Sequence, residues 1–330
     1  MRGRRVLITG VGSPLGATLA RRLEADPGVE YVAGLDTRRP QQPLEGVDFI
    51  EADIRNPVIA TLIPQAEVDT VVHNQIIRRP TPGMSSRSMH DINVIGSLQL
   101  LTACEQTETI EAIVIRGSAG VYGSEPAAPQ FFDEEMTRMY PRRTRFQRDA
   151  GEIEAYFETY ANSHPSVTCT MLRYQPAIGP SVETQITRYL ALAAPPTYLG
   201  FDPRLQLIHE DDALDALVAA VERPVRGAVN VAGPGTVGLT RMIRMAGKFG
   251  VPVPSPLFGV VASAGKRAGM LDFSEDFRRL LRYGRGVDTR RLTDDVGFTP
   301  RFSTEAAIED YAAQLPHQGM TAPLRNAVRV

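Results

Sequence analysis

The chain has 330 residues, 43% of them hydrophobic, enough to bury one large core or two modest ones. A formal net charge of −2 leaves no broad basic surface for a polyanion, so nucleic acid is not an expected partner. The two cysteines, Cys104 and Cys169, form no paired motif, which excludes a disulfide framework and a zinc set and makes both expected buried apolar residues.

The opening MRGRR runs straight into a strand rather than a continuous apolar stretch, so no signal peptide is expected, and no run approaches the roughly 18 uncharged apolar residues of a spanning helix. A cytoplasmic location is expected. From there strand and helix signals alternate. VLITG is a strand, Leu15 to Ala25 a helix, YVAGLD and VDFIEAD strands, and Pro57 to Pro64 a short helix. TVVHNQ is the next strand, followed by a long helix from about Ser86 to Glu105, the strand AIVIRGS, a helix from about Thr144 to Ser163 and the strand VTCTMLRY. This alternation predicts an α/β fold, a Rossmann-type doubly wound parallel sheet with helices on both faces. Beyond Gln175 come proline-rich turns, a helix at Asp211 to Glu222, a strand GAVNVAG and a mostly helical tail. The expected division is a cofactor domain of residues 1–174 plus 207–235 and a smaller, mostly helical C-terminal substrate domain of 175–206 plus 236–330.

The first βαβ unit carries the clearest chemistry. Gly10, Gly12 and Gly16 stand between the first strand and its helix, and the second strand ends on Asp36, 20 positions after the last glycine. Glycines there let a backbone approach a pyrophosphate, the helix N-terminus faces the anion, and the acidic residue accepts from the adenosine ribose. Ser13, Pro14 and Leu15 complete the turn. Asp36 repels a 2′-phosphate, so NAD is the expected cofactor; Arg38 and Arg39 keep NADP as the less favoured alternative.

These motifs, in order and spacing, resemble the extended short-chain dehydrogenase/reductases, and among them the nucleotide-sugar epimerase/dehydratase group. TGVGSPLG is similar to that family's TGxxGxxG turn, and ADI at 52–54 to its adenine-side aspartate segment, implying cofactor contacts from Asp53 and Ile54. DINVIGSLQLL resembles its NVxGTxxLL helix and places Asn93 at the family's asparagine, implying a catalytic role for it, while GSAGVYG resembles SSxxVYG and puts Ser118 at the catalytic hydroxyl. LRYQPAIGP resembles LRPxNVYGP, and LIHEDDAL the fxHVxDxA segment. The resemblance adds Asn74, Gln75, Asn93, Arg116 and Pro176 as expected cofactor-lining positions, a nucleotide sugar or other small molecule as ligand, and a homodimer paired through the helices near 86–105 and 144–163. No metal is expected.

The main departure lies at the family's YxxxK pair, where the tyrosine moves the proton and the lysine lowers its pKa. Phe146 and Ala150 occupy those positions, in a register anchored by Glu154. The chain has only two lysines, Lys248 and Lys266, and no tyrosine has a lysine or arginine four residues later. Ala119 and Gly120 replace the acidic pair of the 4,6-dehydratases, Pro176 replaces an asparagine that holds sugar nucleotides in epimerases, and Asn74 and Gln75 replace small alanines. Tyr140 is the first candidate to substitute for the missing acid/base, with Tyr122, His73, His90 and His209 as further candidates, and the basic run Arg142, Arg143, Arg145 and Arg148 is a candidate diphosphate contact.

Three functions stay open on these residues. One is an NAD-binding member of the nucleotide-sugar group with a degenerate site and reduced or altered catalysis, in which Ser118 polarises the substrate oxygen. The second is a non-catalytic NAD(H)-responsive regulatory or binding protein. The third is an oxidoreductase for a lipophilic alcohol or ketone, suggested by the apolar, small-residue stretch at 255–271.

Overall fold

The computed structural model describes residues 3–77, 84–136, 140–260 and 273–315. Its centre is a seven-stranded sheet of β1 (Arg4–Thr9), β2 (Val29–Asp36), β3 (Val47–Glu51), β4 (Thr70–His73), β5 (Ala112–Ser118), β6 (Thr168–Tyr174) and β7 (Gly227–Val231). The order across the sheet is β3-β2-β1-β4-β5-β6-β7, and every pairing is parallel. The chain winds outward from β1 to β3, then crosses back to β4 and winds the other way. The strand order therefore reverses between β1 and β4, and a crevice opens at their C-terminal ends.

Alternation along β1 shows how the sheet is covered. Val6 and Ile8 enter one core with Leu19 and Leu23 of α1 (Pro14–Glu24), and Leu7 enters the core on the opposite face with Ile59 and Ile63 of α2 (Ile59–Gln65). The second face also takes Leu100 and Cys104 of α4 and Ile153 and Phe157 of α5 (Arg145–Ser163), whereas the first takes Leu214 and Leu217 of α7 (Glu210–Glu222). Both cysteines are buried, as their isolation in the sequence predicts.

The helix expected over Ser86 to Glu105 is not uniform. It runs as α3 (Ser86–His90), a π-helical turn (Asp91–Ile95) and α4 (Gly96–Glu105). Helical periodicity does not reveal the extra residue of a π turn, and such turns cluster at functional sites. At its centre Asn93 turns toward the loop after β4, accepting from the Ile77 N–H and donating to the Ile77 carbonyl, both at 2.8 Å.

A third core gathers residues from Ile178 to Tyr311. It joins α6 (Gln185–Leu190), α8 (Leu239–Met245), α9 (Glu275–Tyr283) and α11 (Thr304–Gln314), with α10 (Arg290–Asp294) packed by Leu292 into the first core. Tyr189 anchors this third core, with Phe273 and Phe277 meeting its ring edge-on. Burying each large apolar side chain stabilises by roughly 1.5–3 kcal/mol over leaving it exposed. Residues 255–260 are helical, while 261–271 of the apolar stretch lie outside the described residues. No described helix is long and apolar enough to cross a membrane.

A buried polar network ties the sheet to the turn after β5. Arg173 of β6 meets Glu154 of α5 with two bonds of 3.0 and 2.9 Å and donates to the Tyr122 hydroxyl at 2.9 Å. That hydroxyl donates in turn to Asn230 Oδ1 of β7. Tyr122 is therefore fully engaged in holding its turn, and Glu154 fixes the face that α5 turns toward the crevice.

Candidate functional site

Side chains at the C-terminal ends of β1, β4, β5 and β6 converge on the crevice. On the β1 side the glycine turn is forced by contact. Gly10 has a φ of +77°, in the left-handed region that only glycine enters at little cost. A Cβ on Gly16 would stand 2.2 Å from the Gly10 carbonyl oxygen, and one on Gly12 would stand 2.5 Å from the Arg38 carbonyl oxygen and 2.9 Å from Asp36 Oδ2. Asp36 is buried beneath the turn, accepting from the Gly12 N–H at 2.9 Å and the Arg38 N–H at 3.1 Å, while the Arg38 side chain is exposed. With the Thr37 hydroxyl also donating to Oδ1 at 3.5 Å, the carboxylate keeps a lone pair on Oδ2 for a further hydroxyl.

Ser13 is the N-cap of α1, its Oγ accepting from the Gly16 N–H at 3.1 Å and donating to the Gly10 carbonyl at 2.8 Å. Pro14 at the first helical position has no N–H to offer. Among the described residues the Leu15 N–H has no partner at this helix end, as an anion site requires. Gly12, Ser13, Pro14, Ala17, Thr18, Arg21, Gln41 and Gln42 line an open groove of about 230 Å³. Past β3, Asp53 is held by Arg55 through bonds of 2.9 Å to its backbone N–H and 2.9 Å to Nε, and this arginine keeps the carboxyl below its ordinary range. Ile54 is buried against Gly96.

Across the crevice, the residues after β4 crowd toward the turn. Asn74 Nδ2 lies 3.4 Å from the Gly10 carbonyl oxygen and 3.5 Å from Ser13 Oγ, and its Oδ1 accepts from Arg116 at 3.4 Å. Gln75 packs on Gly10 with its Oε1 buried and unpartnered. Beneath them His73 is buried, with Nε2 2.8 Å from Ser97 Oγ and Nδ1 2.8 Å from Thr9 Oγ1. Ser97 donates to the Asn93 carbonyl and so accepts from His73, which places the ring proton on Nε2. Burial pushes the His73 pKa down to about 4 from 6.5. Between those values the unfolded chain binds a proton that the folded chain refuses. Stability is therefore expected to be complete above pH 6.5, to fall as the pH drops and to level below pH 4, a total loss of about 3 kcal/mol from this one group. Urea unfolding of wild type and His73→Asn across that window checks it. The variant should lose this part of the acid sensitivity, and equal slopes would refute the assignment.

The crevice opens into a cavity of about 350 Å³. Arg116, Ser118, Phe146, Tyr174 and Pro176 line it from the sheet side, and Thr184, Gln185, Asp276, Phe277 and Arg285 from the C-terminal half. The Ser118 hydroxyl lies 3.1 Å from the Gly120 N–H, from which it accepts. Tyr174 turns its hydroxyl away to the Ala213 carbonyl at 3.0 Å. Asp276 accepts from Thr144 Oγ1 at 2.6 Å and from Gln147 Nε2. Thr144 also caps α5, so the two halves of the chain meet at the start of the helix that carries Phe146.

A model of the NAD-dependent epimerase/dehydratase family matches residues 6–232. The chain belongs to this family. An uncharacterized protein of Mycobacterium tuberculosis is 36% identical over 312 residues, covering 93% of this chain and 82% of the relative. Among solved structures, UDP-glucose 4-epimerase from Thermotoga maritima with UDP-glucose aligns at a TM-score of 0.71 and 17% identity, over 94% of this chain and 98% of that one. dTDP-glucose 4,6-dehydratase from Bacillus anthracis in complex with NAD aligns at 0.71 and 14% identity, over 94% and 96%. Both share the fold.

Of the positions expected from the sequence to depart from the family pattern, Phe146 faces the cavity beside Ser118, its Cε1 3.3 Å from where a Gly120 Cβ would be. Ala150 follows one helical turn later on α5. The other acid/base candidates stand elsewhere. Tyr140 is partly buried but does not line the cavity, His90 pairs with Asp149 at 2.8 Å, and His209 stacks on Phe302 and meets Asp310 at 3.1 Å. Of the expected cofactor positions, Asn74, Gln75 and Arg116 gather with the glycine turn at the crevice, whereas the Asn93 amide is spent on Ile77. Sequence reading missed Asp276 and Arg285. They come from a region without a motif, more than 100 residues beyond the strands they face, and nothing local marks them.

Proposed function

We propose that this chain binds NAD along the groove and holds a small ligand in the adjoining cavity, with catalysis reduced or altered relative to its family. The residues suit the dinucleotide: three glycines whose Cβ atoms have no room, Asp36 with a free lone pair beside Gly12, an unpartnered Leu15 N–H, and the buried orphan Gln75 Oε1. When bound, NAD supplies a hydride acceptor. The chain itself supplies the Ser118 hydroxyl, which can donate to a substrate oxygen, and a phenyl ring at position 146 that can neither give nor take a proton. That ring, facing the cavity where the family carries its tyrosine, is the observation that carries the proposal. General acid–base help is worth about 10²–10⁴ in rate, so family chemistry through this site is slow.

The same observation favours a second reading, a non-catalytic protein in which NAD or NADH shifts a conformational equilibrium through unequal affinity for two states. A nucleotide-sugar ligand is supported by the family and by the volume of the cavity, about 350 Å³. The lipophilic-substrate reading rests on 255–271 and gains nothing from the described part, 255–260.

The test is to denature freshly purified protein and identify the released nucleotide by mass spectrometry and absorbance. NAD(H) near one per chain is the expected result, and a substantial NADH share would favour residual hydride chemistry. An empty protein that also shows no thermal shift with NAD or NADP would overturn the cofactor reading.

A further inference from the structure

Arg116 projects from β5 on the same side as Ser118, two residues on, and both line the cavity. Its surroundings do not balance its charge. The guanidinium reaches the neutral amide of Asn74 at a long 3.4 Å and lies 5.7 Å from the centre of the Tyr174 ring, and Nε is buried without a partner. Among the described residues no carboxylate pairs with it. The two acids in the cavity wall are engaged elsewhere, Asp276 with Thr144 and Gln147, and Glu183 with Arg188. Elsewhere in the molecule the buried Arg173 pairs with Glu154, and Arg279, half-buried like Arg116, pairs with Glu125. Burial lowers the pKa of Arg116, as expected for a desolvated cation. Keeping such a charge uncompensated opposes folding, and a planar guanidinium fork is suited to a carboxylate or phosphate.

We propose that Arg116 recognises an oxyanion of the bound ligand at the junction of groove and cavity. The site then selects ligands that are acidic or phosphorylated at the end facing β5. This rests on the proposed ligand site, though not on NAD being its occupant. The oxyanion has two possible sources, an acid group on the cavity ligand or a phosphate of a dinucleotide in the groove.

The test is thermal unfolding of nucleotide-free full-length protein, wild type, Arg116→Met and Arg116→Lys, with inorganic phosphate or malonate against chloride at equal ionic strength. Relative to chloride, these anions should raise the Tm of wild type, raise that of Arg116→Lys partially, and leave Arg116→Met unmoved. Without added anion, Arg116→Met should melt higher than wild type by on the order of 2 °C, because an unpaired charge has been removed. NADH titration separates the sources. A roughly tenfold weaker NADH affinity in Arg116→Met assigns the oxyanion to the dinucleotide, whereas unchanged affinity, with malonate still stabilising NADH-saturated wild type, assigns it to the cavity ligand. No anion response in wild type, or an equal response in Arg116→Met, would overturn the proposal. Failure of NADH to bind at all, with the anion response intact, would overturn the cofactor reading and leave this one standing.

Discussion

Phe146→Tyr combined with Ala150→Lys is expected to raise turnover by about 10²–10⁴-fold, the usual contribution of a positioned acid/base. The scaffold for the pair is already in place. Thr144 caps α5, Glu154 locks the helix to Arg173, and the phenyl ring of Phe146 lies beside Ser118 at the cavity wall. Adding one hydroxyl to that ring requires no new space in the core, since the ring borders an open cavity. A lysine one turn later stands on the same face and supplies the charge that lowers a tyrosine pKa. Neither single change should suffice, because a tyrosine without the cation keeps its proton and a lysine without the tyrosine has nothing to assist. The assay follows NADH absorbance and sugar interconversion with UDP-glucose and UDP-glucuronic acid as probes. A folded double variant that binds NADH as wild type does, yet turns over neither probe, would argue for the non-catalytic reading.

Gly12→Val is expected to weaken NADH binding roughly a thousand-fold, the difference between micromolar and millimolar affinity. The position has no room even for a methyl group, with the Arg38 carbonyl oxygen 2.5 Å and Asp36 Oδ2 2.9 Å from the required Cβ. Any side chain must push the turn away from the end of β2, which breaks the bond from the Gly12 N–H to Asp36 and blocks the approach of a pyrophosphate. The strain is local, in a surface-facing turn, so most of the fold should persist. Fluorescence titration with NADH measures the loss, and circular dichroism with thermal unfolding confirms that the sheet remains. Unimpaired affinity in a folded Gly12→Val protein would mean that the glycine turn serves packing alone.

What the sequence determines here is whatever short-range periodicity and local contact control. Nearly continuous apolar runs in VLITG, TVVH and AIVI mark strands covered on both faces, and Gly10, Gly12 and Gly16 mark a turn whose backbone must be approached closely. The phenylalanine at 146 and alanine at 150 are likewise legible in the chain alone, because the proposed loss is of a chemical group rather than of a geometry. Tertiary structure decides the rest, for a physical reason in each case. The π turn at Asp91–Ile95 interrupts a helix whose periodicity looks continuous, because one extra residue rotates the pattern without erasing it. The Asn93 amide faces Ile77 rather than the cavity because that loop has backbone groups to satisfy. Asp276 and Arg285 reach the cavity because the third core, built from Ile178 to Tyr311, folds back over the strand ends. Sequence places Arg116 near a cofactor by its strand, but only the packed structure shows that no acid among the described residues answers its charge, since the partners of a half-buried cation come from every element around it.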